Sequence, residues 1–287
     1  MPLIPTGKGD FHLLPQFAAG DFSSYELYLP EFNDRVPNAL KTLPEHTKII
    51  SIHQPPTVRL DGQLHSSNLV DEGAIGEATI SALKKIVELC AHRGIPQVVI
   101  HGAFYDCRKR TQAEALALFA RRVHSLVGLG VELFCETDAL WGLKYFPIRA
   151  LVCTREDFLM LNAGGEEKIK ITLDIEHFLI THYFTHFLRF LNRPDAFFDF
   201  QSEQEGELFQ QDFLSFIVPR EEALQQAFYN SLAQFISSFR DQIEMIHLNG
   251  SDFHNLRLDV GKKLPLIGEH LPLGFYQEGV KDRIDYD

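Results

Sequence analysis

Short apolar runs alternate along this chain with longer segments whose apolar residues recur at every third or fourth position. The longer segments predict amphipathic helices, and the short runs predict strands. The predicted helices are VPNALKTL, GAIGEATISALKKIVELCAHRG and TQAEALALFARRVHSLVGLG. The predicted strands are a first one near residues 3–6, then SSYELYLP, KIISIHQPP, PQVVIHGAF, VELFCETD, IKITLDIEHF and IEMIHLNGSD. Nearly continuous apolar strands separated by helices are typical of a parallel sheet that is covered on both faces.

The ends of two predicted helices carry ordinary stop and start signals. Gly94 follows the first long helix, Thr111 precedes the second, and Gly128 and Gly130 end it. Glycine ends helices because it tolerates the left-handed conformation, and threonine accepts hydrogen bonds from the first free N–H groups. These capping residues therefore support the predicted alternation of strands and helices.

This alternation favours a TIM-like (β/α) barrel formed by residues 1–287 as a single domain. A doubly wound sheet shares the alternation, but GKGDFH is a poor match to the GxGxxG turn that opens such folds. Counted against the eight strands of a TIM barrel, the chain reaches Asp287 before a last helix and strand, so both are expected to be missing. Residues 178–242 interrupt the alternation and predict a Phe-rich helical insertion after the sixth strand. A substrate lid, a dimer surface and extra helices that cover core all remain open for it.

Composition narrows the function classes. The net charge is -12, with 39 acidic and 27 basic residues, which disfavours a broad grip on nucleic acid without excluding a local basic channel. Cys90, Cys107, Cys135 and Cys153 form no CxxC pair, and the N-terminal sequence has no signal-peptide pattern. No apolar run reaches the roughly 20 residues that span a bilayer. We therefore expect a cytoplasmic protein that is not embedded in a membrane.

Histidine and acidic residues stand at the ends of the apolar runs. In a repeating strand-helix fold the C-terminal ends of the strands open on one face, so residues far apart in the sequence are expected to converge there. Imidazoles and carboxylates are the ligands that zinc and manganese use in proteins. The residues in question are His53, His101, Glu136, Asp174, His177 and His247.

Four segments resemble the xylose isomerase-like TIM barrels, a superfamily that includes endonuclease IV (AP endonuclease family 2) and many sugar isomerases and epimerases. The most specific is HSSNLVDEGAIGEATISALKKIVELCAHRGIPQVVIHGA, which is similar to the superfamily's Asn-Leu segment, helix, turn and strand ending in His. LDIEH, HLNGSD and EHLPLG resemble three later elements in the same order. The resemblance covers most of the chain and implies a divalent metal, zinc or manganese.

The endonuclease IV resemblance implies more than one metal position. His53, His101 and Glu136 would hold one ion, and Glu136 would bridge to a second ion held by Asp174 and His247. His177 and His270 would belong to a third. The sugar-isomerase resemblance implies a single ion, held by Glu136, Asp174, His247 and a final glutamate.

The chain departs from the endonuclease pattern at two places. Gly268 occupies a position where that pattern has an acidic residue, which weakens the third metal position. The final metal-binding glutamate would lie beyond Asp287, so Glu269, Glu278 or a partner chain would have to substitute.

Simpler interpretations compete at two places. Asp174 and His177 fit a helix N-cap pair, and His182 with His186 fits an ordinary helical face, because no HExxH glutamate lies between them.

Three functions remain. We place first a hydrolase that cleaves a phosphate ester with metal-activated water and uses Glu136 as catalytic residue. A sugar or sugar-phosphate isomerase or epimerase comes second, and a non-catalytic binding relative third. The expected partner is a small sugar or phosphate-ester substrate, with a homo-oligomer left open.

Overall fold

The computed structural model describes residues 7–10, 24–33, 35–41, 43, 47–139, 148–163, 168–192, 203–248, 250–259 and 264–271. The chain divides into two compact units. The first, unit 1, contains residues 1–103 and 114–135, and the second, unit 2, contains residues 104–113 and 136–287. The single-domain prediction stays a prediction, and the strand predicted near residues 3–6 lies outside the described residues.

The described elements follow the predicted alternation of strands and helices. In chain order they are β1 (Gly7–Asp10), β2 (Ser24–Tyr28), α1 (Arg35–Lys41), β3 (Lys48–His53), β4 (Thr57–Leu60), β5 (Gln63–Ser66), α2 (Ala74–Arg93), β6 (Gln97–Ile100), β7 (Phe104–Asp106), α3 (Gln112–His124), β8 (Glu132–Glu136), β9 (Ile148–Ala150), α4 (Arg155–Leu161), β10 (Lys170–Asp174), α5 (Ile175–Phe190), α6 (Glu203–Ile217), a 3-10 turn (Val218–Arg220), α7 (Glu221–Phe239), β11 (Ile243–His247), β12 (Gly250–Asp259) and β13 (Leu264–Leu271).

Unit 1 is built on a parallel sheet in the order β1-β2-β3-β6-β8. Ile52, Val98, Val99 and Ile100 are fully buried, as expected for parallel strands covered on both faces. The strand β3 ends at His53, which pairs in register with Val99 of β6. The helix α2 ends where predicted, because Gly94 adopts a left-handed conformation with φ of 66°.

Unit 2 contains a parallel pair formed by β10 and β11, in which Asp174 is the register partner of His247. The residue that follows β8, Thr137, donates its N–H to the Thr172 carbonyl at 3.0 Å and so continues the hydrogen bonding of β10. After β11 the chain turns into an antiparallel hairpin of β12 and β13. A second antiparallel pair joins β7 to β9.

The Phe-rich segment forms helices, as predicted, although its first helix already begins at Ile175. Phe184 stacks on Phe213 at 4.8 Å between ring centroids, and Phe178 meets Phe235 edge to face at 5.2 Å. Phe213, Phe228 and Phe235 are almost completely buried. These aromatic rings give the helices of unit 2 a shared core, which accounts for the phenylalanine content of the segment.

No helix in the described part of the chain is long and apolar enough to cross a membrane.

Candidate metal centre

Asp174 ends β10 and is also the N-cap of α5, which confirms the N-cap interpretation of this residue. Its Oδ1 accepts a hydrogen bond from the His177 backbone N–H at 2.9 Å. Its Oδ2 is buried, forms no hydrogen bond with a described residue and lies 3.6 Å from His247 Nδ1. One carboxylate oxygen therefore caps the helix, and the other is available to a ligand.

Thr137 holds both Asp174 and His177 in place. Its Oγ1 accepts the Asp174 backbone N–H at 2.8 Å, and its carbonyl oxygen lies 2.9 Å from His177 Nδ1. A carbonyl can only accept, so His177 Nδ1 carries the proton and donates it. In the neutral imidazole, Nε2 then keeps its lone pair and can bind a metal ion through it.

Glu136 ends β8 and is 1% exposed. Its Oε1 lies 3.0 Å from His247 Nδ1 and 3.8 Å from His177 Nδ1. His247 stands at the end of β11 and is also buried. Burying a carboxylate at this position requires cationic or hydrogen-bonding partners, and the two imidazoles provide them.

Glu136, Asp174 and His177 each bring one ligand atom within 4.8 Å of the others. Oxygen and imidazole nitrogen donors at this spacing suit a divalent ion such as zinc or manganese. The buried Asp174 Oδ2 without a hydrogen bond is an independent sign of fit, because a buried polar atom ordinarily has a partner. The residues therefore match the group that the sequence implies.

The charged groups of the cluster shift the pKa values of Asp174 and His177. Burial alone would raise the pKa of Asp174, but His177 and His247 outweigh it and lower the pKa. Burial alone would lower the pKa of His177, but Asp174, Glu136 and Asp138 together raise it to about 9. In the absence of an ion, the imidazolium charge of His177 stabilises the ionised Asp174 carboxylate.

Two further predicted ligands lie together in unit 1. The rings of His53 and His101 are 4.3 Å apart between centroids, at the ends of β3 and β6. His53 is fully buried and His101 partly so. Nearby in the same sheet, Ser51 donates a hydrogen bond to the buried Glu26 carboxylate at 2.9 Å. The side chain of the remaining predicted ligand, His270, lies outside the described part of the chain.

Sequence reasoning missed Thr137, although it stands directly after the strand end that carries Glu136. The only signal was its place in the tripeptide Glu136-Thr137-Asp138. From the sequence, a threonine there could equally be an exposed loop residue or a buried residue that positions its neighbours. The His182 and His186 pair was expected on an ordinary helical face. His182 is 8% exposed, and its ring lies 4.4 Å from that of His186.

No protein-family model and no curated protein sequence matches this chain. Solved structures match it by fold. A xylose isomerase domain protein from Planctomyces limnophilus is 10% identical over 93% of this chain and 80% of that chain, with a TM-score of 0.53. A D-tagatose 3-epimerase-like protein is 15% identical over 60% and 66%, with a TM-score of 0.47. Endonuclease IV from Thermus thermophilus is 15% identical over 66% and 70%, with a TM-score of 0.42.

The first of these matches establishes the fold. The chain has the xylose isomerase-like TIM-barrel fold, which confirms the prediction of a TIM-like (β/α) architecture. At 10% identity the likeness extends to the fold alone, and fold does not decide function.

Proposed function

We propose that this chain is a divalent-metal-dependent enzyme that hydrolyses a phosphate ester with metal-activated water. In this proposal Glu136, Asp174, His177 and His247 hold the ion. The observation that carries it is the cluster of Glu136, Asp174 and His177, each of which offers one ligand atom within 4.8 Å of the others. Asp174 Oδ2, which forms no hydrogen bond with a described residue, supports it.

The protein's own groups prepare the site. A bound divalent ion supplies Lewis acidity toward a phosphoryl oxygen and lowers the pKa of water. The Thr137 carbonyl orients the His177 ring and directs its Nε2 lone pair away from the backbone. Glu136 Oε1 lies 3.0 Å from His247 Nδ1 and can accept a hydrogen bond from it. Because these groups are buried, the electrostatic interactions among them are stronger than they would be in water.

A second set of ligands favours hydrolysis. The paired imidazoles of His53 and His101 offer two more nitrogen donors at strand ends of unit 1. A site for two ions needs more ligands than a site for one ion. Paired ions are common in phosphate-ester hydrolysis.

Isomerisation or epimerisation of a sugar is the second candidate. Glu136, Asp174 and His247 are three of the four ligands that the sugar-isomerase resemblance implies. Glu136 is also a buried carboxylate of the type that moves a proton at carbon next to a carbonyl. The net charge of -12 also suits a small substrate better than a nucleic acid.

The substitution Asp174→Asn tests the metal assignment without removing the helix cap. Asparagine caps a helix about as well as aspartate but is a far weaker metal ligand. We expect elemental analysis to find divalent metal in the wild-type protein and little in this variant. The matched control is Asp157→Asn, because Asp157 is a buried aspartate in the first turn of α4 that accepts backbone N–H groups and has no role in the cluster.

Activity screening separates the two functions. Phosphate-ester cleavage that disappears in Asp174→Asn and persists in Asp157→Asn supports hydrolysis. Ketose or aldose interconversion with the same dependence would support the isomerase instead. Wild-type protein that contains no divalent metal after purification and after incubation with zinc or manganese would refute both.

A further inference from the structure

Unit 1 contains an open cleft of about 440 Å³ lined by Glu31, Asn33, Arg35 and Arg59. Its walls follow the C-terminal ends of β2 and β3, since Glu31 comes shortly after Tyr28 and Arg59 shortly after His53. Substrates of TIM-barrel enzymes bind at this end of the strands. The volume lies in the range of small-molecule sites.

Arg59 is held in a fixed orientation. Its Nε and Nη2 donate to the two carboxylate oxygens of Glu31 at 2.9 and 2.8 Å, and its Nη1 donates to the Gly62 carbonyl at 2.9 Å. The side chain of Glu31 is 19% exposed and that of Arg59 50% exposed. The hydrogen bond and charge of Arg59 lower the pKa of Glu31, so the pair stays ionised. Part of the five-donor fork of the arginine remains for a second oxyanion.

The backbone around Arg59 is fixed as well. The β4–β5 hairpin turns at Asp61 and Gly62, with φ of 50° and 79°, as two-residue hairpin turns require. Thr57 Oγ1 donates to the Pro30 carbonyl at 2.8 Å, and Glu31 forms a parallel bridge with Thr57. These bonds join the hairpin to the loop that carries Glu31. The cleft is therefore organised before any ligand arrives, which lowers the entropy cost of binding.

Asn33 and Arg35 complete a wall of donors. Asn33 Oδ1 accepts the Arg35 backbone N–H at 3.0 Å, which leaves the Asn33 Nδ2 group as a donor. Both side chains are exposed. Arg59 already donates to both oxygens of the Glu31 carboxylate, so the donors that the described lining offers a ligand are those of Arg35, Arg59 and Asn33. Arg35 and Arg59 place two guanidiniums on the described lining of the cleft, beside the carboxylate of Glu31.

We propose that this cleft binds the phosphate group of a small phosphorylated substrate, with Arg35, Arg59 and Asn33 as donors and Glu31 as the positioning residue for Arg59. The inference rests on the proposed function for the claim that the bound molecule is a substrate. It names the substrate class as a sugar phosphate or a similar small phosphate ester. Arginine matches the geometry of phosphate oxygens, which a lysine cannot do in the same way.

Isothermal titration with glucose 6-phosphate, and with glucose as its neutral counterpart, tests the proposal. The titrations use wild-type protein and the Asp174→Asn variant, in which phosphate has no metal to bind. We expect glucose 6-phosphate to bind to both proteins and glucose to bind much more weakly. Arg35→Ala and Arg59→Ala should each weaken binding about tenfold or more, as expected for hydrogen bonds between charged groups.

Three further variants sharpen the test. Arg59→Lys keeps the charge but loses the fork, so it should bind less tightly than wild type. Glu31→Gln should weaken phosphate binding severalfold without changing the thermal midpoint greatly, since it releases Arg59 from its fixed orientation. Arg108→Ala is the matched control, because Arg108 forms a similar pair with Asp106 outside the cleft, at 3.3 Å, and should leave binding unchanged.

Two results would overturn the proposal. One is equal affinity of glucose 6-phosphate for wild type and for the variant with both arginines replaced by alanine. The other is tighter binding of a short DNA duplex than of glucose 6-phosphate through the same arginines, which would make the ligand a nucleic acid. Absence of metal from wild type would instead refute the proposed function. The titrations with glucose 6-phosphate would still decide whether the cleft binds phosphate.

Discussion

His177 and His182 stand five residues apart on α5 and are both largely buried. Their pKa values nevertheless shift in opposite directions. Asp174, Glu136 and Asp138 raise the pKa of His177 to about 9 against the effect of burial. Burial, with His186 and Arg189 nearby, lowers the pKa of His182 to about 4. The comparison shows that carboxylates near the ring, rather than the depth of burial, decide which histidine belongs to a charged site.

The opposite shifts imply opposite effects of pH on the free energy of unfolding. Without an ion, the contribution of His177 is fully present below pH 6.5 and is lost as the pH rises through about 9. The unfolded chain binds more protons than the folded chain at His182 below pH 6.5. The contribution of His182 is therefore present above pH 6.5 and is lost as the pH falls towards 4.

The largest expected difference between the two histidines concerns metal content. His177→Ala removes a ligand from the cluster, so we expect nearly complete loss of bound zinc or manganese by elemental analysis. His182→Ala, on the same helix, should retain the metal and only lose stability. Equal metal content in the two variants would show that His177 is not a ligand.

The next effect is the acid sensitivity that His182 contributes. Replacement by leucine removes the titrating group, so stability should fall less between pH 6.5 and 4 than in wild type, by up to about 3 kcal/mol. Denaturant unfolding of both proteins at several pH values in this window measures it. Parallel curves for the two proteins would assign the acid sensitivity to other groups.

A smaller effect is expected at Thr137. Thr137→Val removes the Oγ1 acceptor of the Asp174 backbone N–H and should cost about 1–3 kcal/mol of stability, because a buried donor loses its partner. The binding of zinc, measured by titration, should weaken because Asp174 loses the hydrogen bond that holds its backbone, while the Thr137 carbonyl still accepts from His177. Zinc affinity equal to that of wild type would limit Thr137 to a structural role.

The smallest effect is expected at Thr172, the matched control for Thr137. Both side chains are fully buried, but Thr172 Oγ1 forms no hydrogen bond with a described residue. Thr172→Val should therefore be neutral or slightly stabilising by denaturant unfolding. A loss as large as that of Thr137→Val would show that volume and shape, rather than hydrogen bonding, dominate at these positions.

The sequence anticipated which residues stand at the ends of the strands. Glu136, Asp174 and His247 each follow an apolar run, and the parallel arrangement of β10 and β11 brings Asp174 beside His247. The N-cap role of Asp174 was also predictable, because aspartate at a strand-to-helix junction is a common cap.

Other features depend on tertiary contacts that a sequence pattern does not contain. The role of Thr137 depends on the register between the end of β8 and β10. The burial of His182 depends on the packing of α5 against Phe228 of α7. The pairing of Glu31 with Arg59 depends on the position of the β4–β5 hairpin.

Elemental analysis of wild-type protein beside Glu136→Ala tests the central claim most directly, with Glu244→Ala as the control. Glu244 is a more exposed carboxylate of unit 2 that pairs with Lys170. The account predicts divalent metal in wild type and in Glu244→Ala, and its loss from Glu136→Ala. Metal retained in Glu136→Ala at the wild-type level would contradict the assignment of Glu136 to the metal centre.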